Sequence, residues 1–224
     1  MHPDTPRIAP VKPHSADAFV AAARPLLDAL RAAGLPTDGF GSFRSPRGVT
    51  LIGEAPPFDY ERSVPILIEW LPRIEDVRVR EAIVRSLSTK YAKTSAGPAL
   101  IAEFRRAAGF PLGLQWAVGN ALEVIADRSM FADLVGLARE RAFGRGREMV
   151  VRAIAKTKHP DAVGVLRDLL NDDDVSGHAV AGLRKLAPIE AREDLQRFIH
   201  DRRAWVRRDA AAALAKIEAK QRSG

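Results

Sequence analysis

The sequence contains no cysteine, few aromatic residues and no long apolar segment. Without cysteine, a disulfide framework, a thiol nucleophile and a thiolate zinc site are all excluded. No stretch approaches the roughly 18 apolar residues of a transmembrane helix. Residues 1–20 contain histidine, proline and aspartate where a signal peptide needs a continuous apolar run. These absences predict a cytoplasmic protein that does not enter a membrane.

The residues that are abundant favour helices. Hydrophobic residues make up 46% of the 224 residues and aromatic residues only 6%, and alanine, leucine, valine and arginine dominate. A core rich in alanine and poor in rings suits closely packed helices better than a sheet. The composition therefore predicts an all-α fold.

Positive charge is in excess over the C-terminal three quarters of the chain. The net charge is +7, and residues 61–224 contain 29 basic against 22 acidic side chains. A basic patch is predicted where these side chains are densest, at Arg141, Arg145, Arg147, Lys156 and Lys158. Such a surface attracts nucleic acid or acidic proteins. The alternative is an ordinary solvated face, because acidic residues are interspersed nearly everywhere.

An internal repeat organises the chain from residue 61 onward. Five segments share an apolar residue followed eight positions later by another, with small residues between: 79–87, 114–122, 146–154, 175–183 and 206–214. Their last residues, called the anchors here, are 35, 32, 29 and 31 residues apart: Leu87, Leu122, Ile154, Leu183 and Leu214. An amphipathic helix is predicted before each one, at 64–71, 99–104, 131–137, 162–170 and 191–199. Regular spacing of this kind is typical of repeat proteins.

The clearest repeat units, residues 159–175 and 204–214, resemble HEAT repeats, in particular the short bacterial kind first noted in phycobilin lyases. The resemblance implies a right-handed α-solenoid of about five helix pairs over residues 61–220, with residues 221–224 as a tail. It identifies an architecture and no function, because HEAT stacks serve many unrelated roles.

The N-terminal region follows another pattern. Residues 1–13 contain four prolines and are predicted to be a disordered tail. Residues 14–60 are predicted to cap the first repeat, with one helix followed by a Gly/Pro-rich loop or a short hairpin near residues 41–52. The alternative is a ligand-gripping arm that carries Phe43, Arg44 and Arg47.

Overlaying the repeats predicts a binding site. In HEAT stacks the second helix of each pair lines the concave face, and two positions four residues apart share one side of that helix. In the first three repeats these positions hold Glu81, Arg85, Trp116, Asn120, Glu148 and Arg152. Trp116 would offer an apolar platform between arginines that bind anions. The alternative is that Trp116 packs between helices and that the Glu–Arg pairs are ordinary helix-surface pairs.

No catalytic, cofactor or metal site is predicted. The five histidines show no i,i+4 pair, and no phosphate-binding glycine loop follows a strand. The acidic run 172–174 is interpreted as a turn, with Asp174 as the N-cap of the next helix.

Two classes of function remain open. The first is a non-enzymatic scaffold whose concave face holds a segment of a partner protein, extended or acidic. The second is nucleic-acid binding, since the chain resembles in length and build the alkylpurine DNA glycosylases that use HEAT-like repeats. Those enzymes carry a Trp followed four residues later by an Asp, whereas Trp116 is followed by Asn120. An amide cannot stabilise a developing glycosyl cation as a carboxylate does. A third possibility is a lyase or chaperone for a bilin chromophore, and only the type of repeat supports it.

Overall fold

The computed structural model describes residues 16–37, 40, 58–109 and 112–223, and within these ranges the chain is helical without any strand. The all-α prediction is confirmed. The α-helices are α1 (Ala16–Ala32), α2 (Tyr60–Trp70), α3 (Val77–Leu87), α4 (Gly97–Arg106), α5 (Leu112–Ile125), α6 (Phe131–Arg139), α7 (Glu148–Thr157), α8 (Ala162–Leu169), α9 (Ser176–Leu186), α10 (Arg192–Gln196) and α11 (Ala204–Ser223). Short 3₁₀ turns lie between many of them.

Each predicted repeat segment coincides with a helix, although the boundaries shift. The segment predicted at 191–199 is divided, because α10 ends at Gln196 and the chain continues as a 3₁₀ turn over Arg197–His200. The hairpin near residues 41–52, the tail at 1–13 and the alternative arm lie outside the described residues. Helix α1 packs against α2 and α3, which are the first two helices of the repeat region.

The helices pack in chain order. Helices α3, α5, α7, α9 and α11 each contact the next in the series, and we call them the helix row. Helices α2, α4, α6, α8 and α10 each pack against the row helix that follows them in the chain. The extensive contacts therefore join segments close in sequence. We call the solvent-exposed side of the helix row the row face.

Four of the five anchors form the buried centre of this packing, whereas the fifth, Leu214 of α11, is half-buried. Leu87, Leu122, Ile154 and Leu183 have no solvent-exposed surface. In α7, seven of the ten side chains are buried, and the other three, Glu148, Arg152 and Lys156, recur every four residues on one side. Burying one such aliphatic side chain contributes about 1.5–3 kcal/mol. One side of each row helix is thereby fixed against the core, and the other is left for solvent.

Buried arginines tie neighbouring elements together. Arg80 of α3 is fully buried, and its Nε donates a hydrogen bond of 2.8 Å to Oε1 of Glu103 in α4. Burial raises the pKa of Glu103, and the charge and hydrogen bond of Arg80 oppose that rise. The pair is oriented by its two helices, and breaking it would leave a charge in the core.

Arg147 corrects two sequence predictions. It was predicted to belong to an exposed basic patch, but its side chain has no exposed surface. Its Nη1 donates to Asp172 Oδ2 at 2.8 Å and to the Ala138 carbonyl at 2.9 Å, and its Nη2 lies 3.4 Å from Asp174 Oδ2. Asp174 therefore does not cap α9, which begins after Val175 without a side-chain cap. The acidic turn instead neutralises a buried arginine 25 residues earlier in the chain.

Candidate binding face on the helix row

The first two predicted site residues, Glu81 and Arg85, lie on α3 and hydrogen-bond to each other. Arg85 donates two hydrogen bonds to Glu81 Oε1, from Nε at 2.9 Å and from Nη2 at 2.6 Å. The two residues therefore form the ordinary helix-surface pair of the alternative interpretation. An exposed pair with this spacing stabilises a helix by about 0.3–0.5 kcal/mol. Asn120 of α5 is half-buried. These three residues supply little free binding capacity.

The next two predicted site residues, Trp116 and Asn120, lie on α5, and Trp116 presents an aromatic surface to solvent. Trp116 of α5 is 41% exposed, so a large part of its indole surface is accessible to a ligand. It lines a shallow pocket of about 290 Å³ together with Gly113, Gly146, Arg145 and Glu148. A Cβ added to Gly146 would clash with the Gln115 side chain, so this glycine is required by the packing of Gln115 beside the pocket. The pocket suits one apolar group.

The last two predicted site residues, Glu148 and Arg152, lie on α7, and each forms an ion pair with a residue outside α7. Glu148 does not pair with Arg152, as the i,i+4 spacing would allow, but accepts a hydrogen bond of 2.9 Å from Arg145 Nε. Its other oxygen lies 3.9 Å from Nε2 of His178 in α9. Arg152 pairs with Glu123 of α5 at 3.2 Å. The structure thus brings Trp116 and Glu148 into one pocket and turns Arg152 toward another.

That second pocket is a groove of about 400 Å³ over α5, α7, α9 and α11. Its charged lining consists of Arg152, Arg184, Lys185, Lys216, Glu123 and Asp209. The two arginines are held by the two acids, since Arg184 lies 3.6 Å from Asp209. Glu148 and His178, which approach each other, lie in the first pocket and the groove respectively. The two depressions therefore adjoin.

Two lysines give the groove its surplus of positive charge. Within the described part of the chain, neither Lys185 nor Lys216 has a carboxylate within ion-pair distance. Burial lowers the pKa of Lys185, and repulsion by Lys156, Arg152 and Lys158 lowers it further, while Glu123 opposes this. Positive charges held this close favour a bound anion, which would relieve their mutual repulsion.

Trp205, which lines the groove, packs closely against Gly177 of α9. Trp205 of α11 is half-buried, and its ring centroid lies 5.1 Å from that of His178. A Cβ added to Gly177 would come within 2.6 Å of the Trp205 ring, so the absence of a side chain lets α11 close over α9. Trp205 therefore contributes to packing as well as to the groove wall. Trp70 of α2 is half-buried beneath the Arg73 guanidinium, 5.3 Å from its ring centroid.

The surroundings of His178 predict that the stability of the protein depends on pH. Burial lowers its pKa below the ordinary value of 6.5, the nearby Arg152, Arg203 and Arg145 lower it further, and Glu148 opposes them. Below about pH 6.5 the unfolded chain binds this proton more readily than the folded chain. The free energy of unfolding should therefore fall as pH falls through that value and be constant above it.

Urea denaturation of the wild type and of His178→Gln between about pH 5 and 8 measures this effect. The substitution should flatten the pH dependence, whereas His200→Gln, which changes an exposed turn, should leave it unchanged. An equal pH dependence in wild type and His178→Gln would remove His178 as its source.

The remaining members of the predicted basic patch separate in the structure. Arg141 is exposed and lies 3.8 Å from Asp172, while Arg145 is bound to Glu148 at the first pocket. Lys156 donates a hydrogen bond of 2.6 Å to the Glu123 carbonyl, beside the groove. Lys158 is exposed and ends α7 in the left-handed conformation, with φ of 53°. These residues form no continuous surface with the buried Arg147.

The sequence analysis did not predict the residues that give the groove its charge. Lys185, Lys216, His178 and Glu123 were not among the predicted site residues. A signal was present, because Lys156, Lys185 and Lys216 all lie two residues after an anchor. That repeat position holds lysine in three successive units.

The described residues include no group of three or more metal-ligating side chains that could hold a metal ion. None of the helices described is long and apolar enough to cross a lipid bilayer. No protein-family model matches the sequence, and no curated protein is significantly similar to it. Any function is therefore to be inferred from the chemistry of the row face itself.

Proposed function

We propose that the chain is a non-enzymatic binding scaffold, acting in the cytoplasm as its sequence predicts, whose row face holds an acidic, extended segment of a partner protein. The observation that carries this proposal is the exposed Trp116 indole beside a groove with two uncompensated lysines. Binding energy concentrates at aromatic anchors in partly enclosed pockets. The lysines add charge complementarity, which steers an acidic partner and fixes its register.

A HEAT-like architecture is part of the proposal. Five helix pairs would form a right-handed solenoid with the helix row on its concave side. The near-constant anchor spacing supports this, as does the packing of each row helix on the previous one. Packing of each unit mainly on its neighbours is the defining contact pattern of repeat proteins. A concave face of this kind offers an elongated surface, which suits an extended segment.

Protein is favoured over nucleic acid by the acids on the row face. Glu123, Glu148 and Asp209 lie among the basic side chains, so a phosphate backbone would meet repulsion along its path. A peptide can place its acids at the lysines and neutral residues elsewhere. Nucleic-acid binding is the alternative function, favoured by the net positive charge alone. Glycosylase chemistry has no support at Asn120, whose amide cannot replace a carboxylate.

Replacing Trp116 by alanine is expected to weaken peptide binding by about 2 kcal/mol or more, roughly 30-fold. The probe is a fluorescein-labelled peptide of about twelve residues with one leucine and four glutamates, followed by fluorescence anisotropy. The indole is exposed, so the melting temperature should change little. A labelled DNA duplex is titrated in parallel at low and at about 150 mM salt.

Tyr60→Ala is the matched control. Tyr60 is 45% exposed, similar to Trp116, but lies on α2 outside the helix row. Its replacement should leave peptide affinity unchanged. Equal losses for the two variants, or no loss for Trp116→Ala, would contradict the proposal. Duplex binding tighter than peptide binding at about 150 mM salt would replace it with the nucleic-acid alternative.

A further inference from the structure

Three lysines on the row face occupy one repeat position in consecutive units. Lys156, Lys185 and Lys216 each lie two residues after the anchor of their helix, and they are 29 and 31 residues apart. They belong to α7, α9 and α11, which contact one another in that order. We call these three residues the lysine ladder. The shared repeat position places one positive charge on each of three helices that contact one another in order.

The ladder belongs to one electrostatic unit. Lys185 and Lys216 both line the 400 Å³ groove. Lys156 is close enough to Lys185 for their charges to interact, and its amine is held by the Glu123 carbonyl at the groove edge. The arginines of the same groove are already engaged, Arg152 by Glu123 and Arg184 by Asp209. Lys185 and Lys216 are therefore the cations of the groove that retain charge for a ligand, and Lys156 adds a third positive charge beside it.

The spacing of the rungs follows from helix packing. Helices in contact lie about 8–10 Å apart. An extended strand repeats its side-chain direction every second residue, about 6.7 Å, which is too short. A polyproline II segment has three residues per turn and rises about 3.1 Å per residue, so every third side chain points the same way at about 9.3 Å. Of these two extended conformations, the second matches the spacing expected for helices in contact.

A helical ligand fits less well. An α-helix repeats its direction after seven residues, about 10.5 Å, but it is about 11 Å wide with side chains. A helical segment that spans three ladder positions is about 21 Å, or about 14 residues, long, and an isolated helix of that length is only marginally stable in water, so it would have to be ordered on binding. A polyproline II chain is narrower and is already ordered before binding, which lowers the entropic cost of association.

We propose that the lysine ladder reads acidic residues at every third position of a polyproline II segment in the partner protein. The inference rests on the proposed function, because it specifies the partner of the same face. Each carboxylate would meet one ladder lysine, and the two intervening residues would face away or toward Trp205. The ladder would then select for the period of the negative charges as well as for their number.

Two peptides of equal length and charge test the period. One carries a leucine followed by four Glu-Pro-Pro triplets, and the other carries the same leucine, four consecutive glutamates and eight prolines. The periodic peptide is expected to bind about tenfold more tightly, measured by fluorescence anisotropy at about 150 mM salt. Lys185→Gln and Lys216→Gln should each weaken the periodic peptide several-fold and the block peptide less.

Arg222→Gln is the matched control, since it removes one positive charge from an exposed position of α11 away from the ladder. It should change neither affinity beyond about twofold. Equal affinity of the two peptides would overturn the inference while the proposed function stands. If neither peptide binds the folded wild type, both the inference and the proposed function fail.

A variant that gains affinity complements the lysine substitutions, because a gain in binding cannot be explained by misfolding. Val124 holds the ladder position on α5 and is 42% exposed, so Val124→Lys adds a rung without disturbing the core. Affinity should rise several-fold for a periodic peptide lengthened to five triplets and should rise less for a block peptide with five glutamates. An equal rise for both would show a general charge effect and would overturn the inference.

Discussion

Arg147→Ala is expected to lower the free energy of unfolding by about 3–5 kcal/mol, because it removes the buried partner of Asp172 and leaves several acceptors unsatisfied. The Arg147 side chain has no exposed surface, so water cannot replace it without opening the structure. Asp172 is held ionised by this contact, since the hydrogen bond from Arg147 lowers the pKa of Asp172 despite burial. Equilibrium urea denaturation followed by circular dichroism measures the loss.

Arg141→Ala is the control for Arg147→Ala. Arg141 approaches the same Asp172 at 3.8 Å, but its side chain is 80% exposed. Exposed pairs of this kind contribute about 0–1 kcal/mol, so the variant should denature close to the wild type. A loss for Arg147→Ala no larger than that for Arg141→Ala would mean that the buried network does not stabilise the fold.

Deleting residues 203–224 is expected to lower the melting temperature by at least about 6 °C. The deletion removes α11, whose Val206 and Ile217 are at most 1% exposed and together represent about 3–6 kcal/mol of burial. It also uncovers α9 and α10, which both pack against α11. For a chain of this size, 1 kcal/mol corresponds to about 2–4 °C. Differential scanning calorimetry gives the shift.

The control deletion removes only residues 221–224. It retains Lys220, whose Nζ donates to the carbonyls of Leu186 and Ala187 at 2.9 and 3.1 Å and so ties α11 to the end of α9. This shorter deletion should leave the melting temperature within about 2 °C of the wild type. An unchanged melting temperature after the longer deletion would contradict the stacking of α11 on the helices before it.

The helix positions could be predicted because the apolar pattern is local. Anchors such as Leu122 and Ile154 recur with small residues between them, and that pattern fixes which side of a helix is buried. The prediction failed for Arg147, which lies in a basic stretch and reads as a surface residue. Its partners Asp172 and Asp174 are 25 and 27 residues away, so its burial depends on tertiary packing that no local pattern shows.

The candidate site was predicted in part for a similar reason. The overlay of repeats placed Trp116, Glu148 and Arg152 on one exposed side, and the structure has them at two adjoining depressions. The overlay could not show that Glu148 pairs with Arg145 or that Arg152 pairs with Glu123, because these choices depend on side-chain geometry between helices. The ladder residues Lys185 and Lys216 occupy a third position of the same overlay, two residues after the anchors.

The packing of the row helices in chain order also determines how the molecule folds and opens. Contacts between segments about 30 residues apart give a low contact order, which is associated with fast folding. Among the described elements, α11 packs extensively only against α9, α10 and the 3₁₀ turn at Arg197–His200, so it can separate locally without disturbing the contacts between the earlier row helices. Lys216 lies on α11, the last helix, and the groove is complete only while α11 is docked. Occupation of the groove and docking of α11 on α9 are thereby thermodynamically linked: a ligand that contacts both helices suppresses their separation, and their separation releases the ligand.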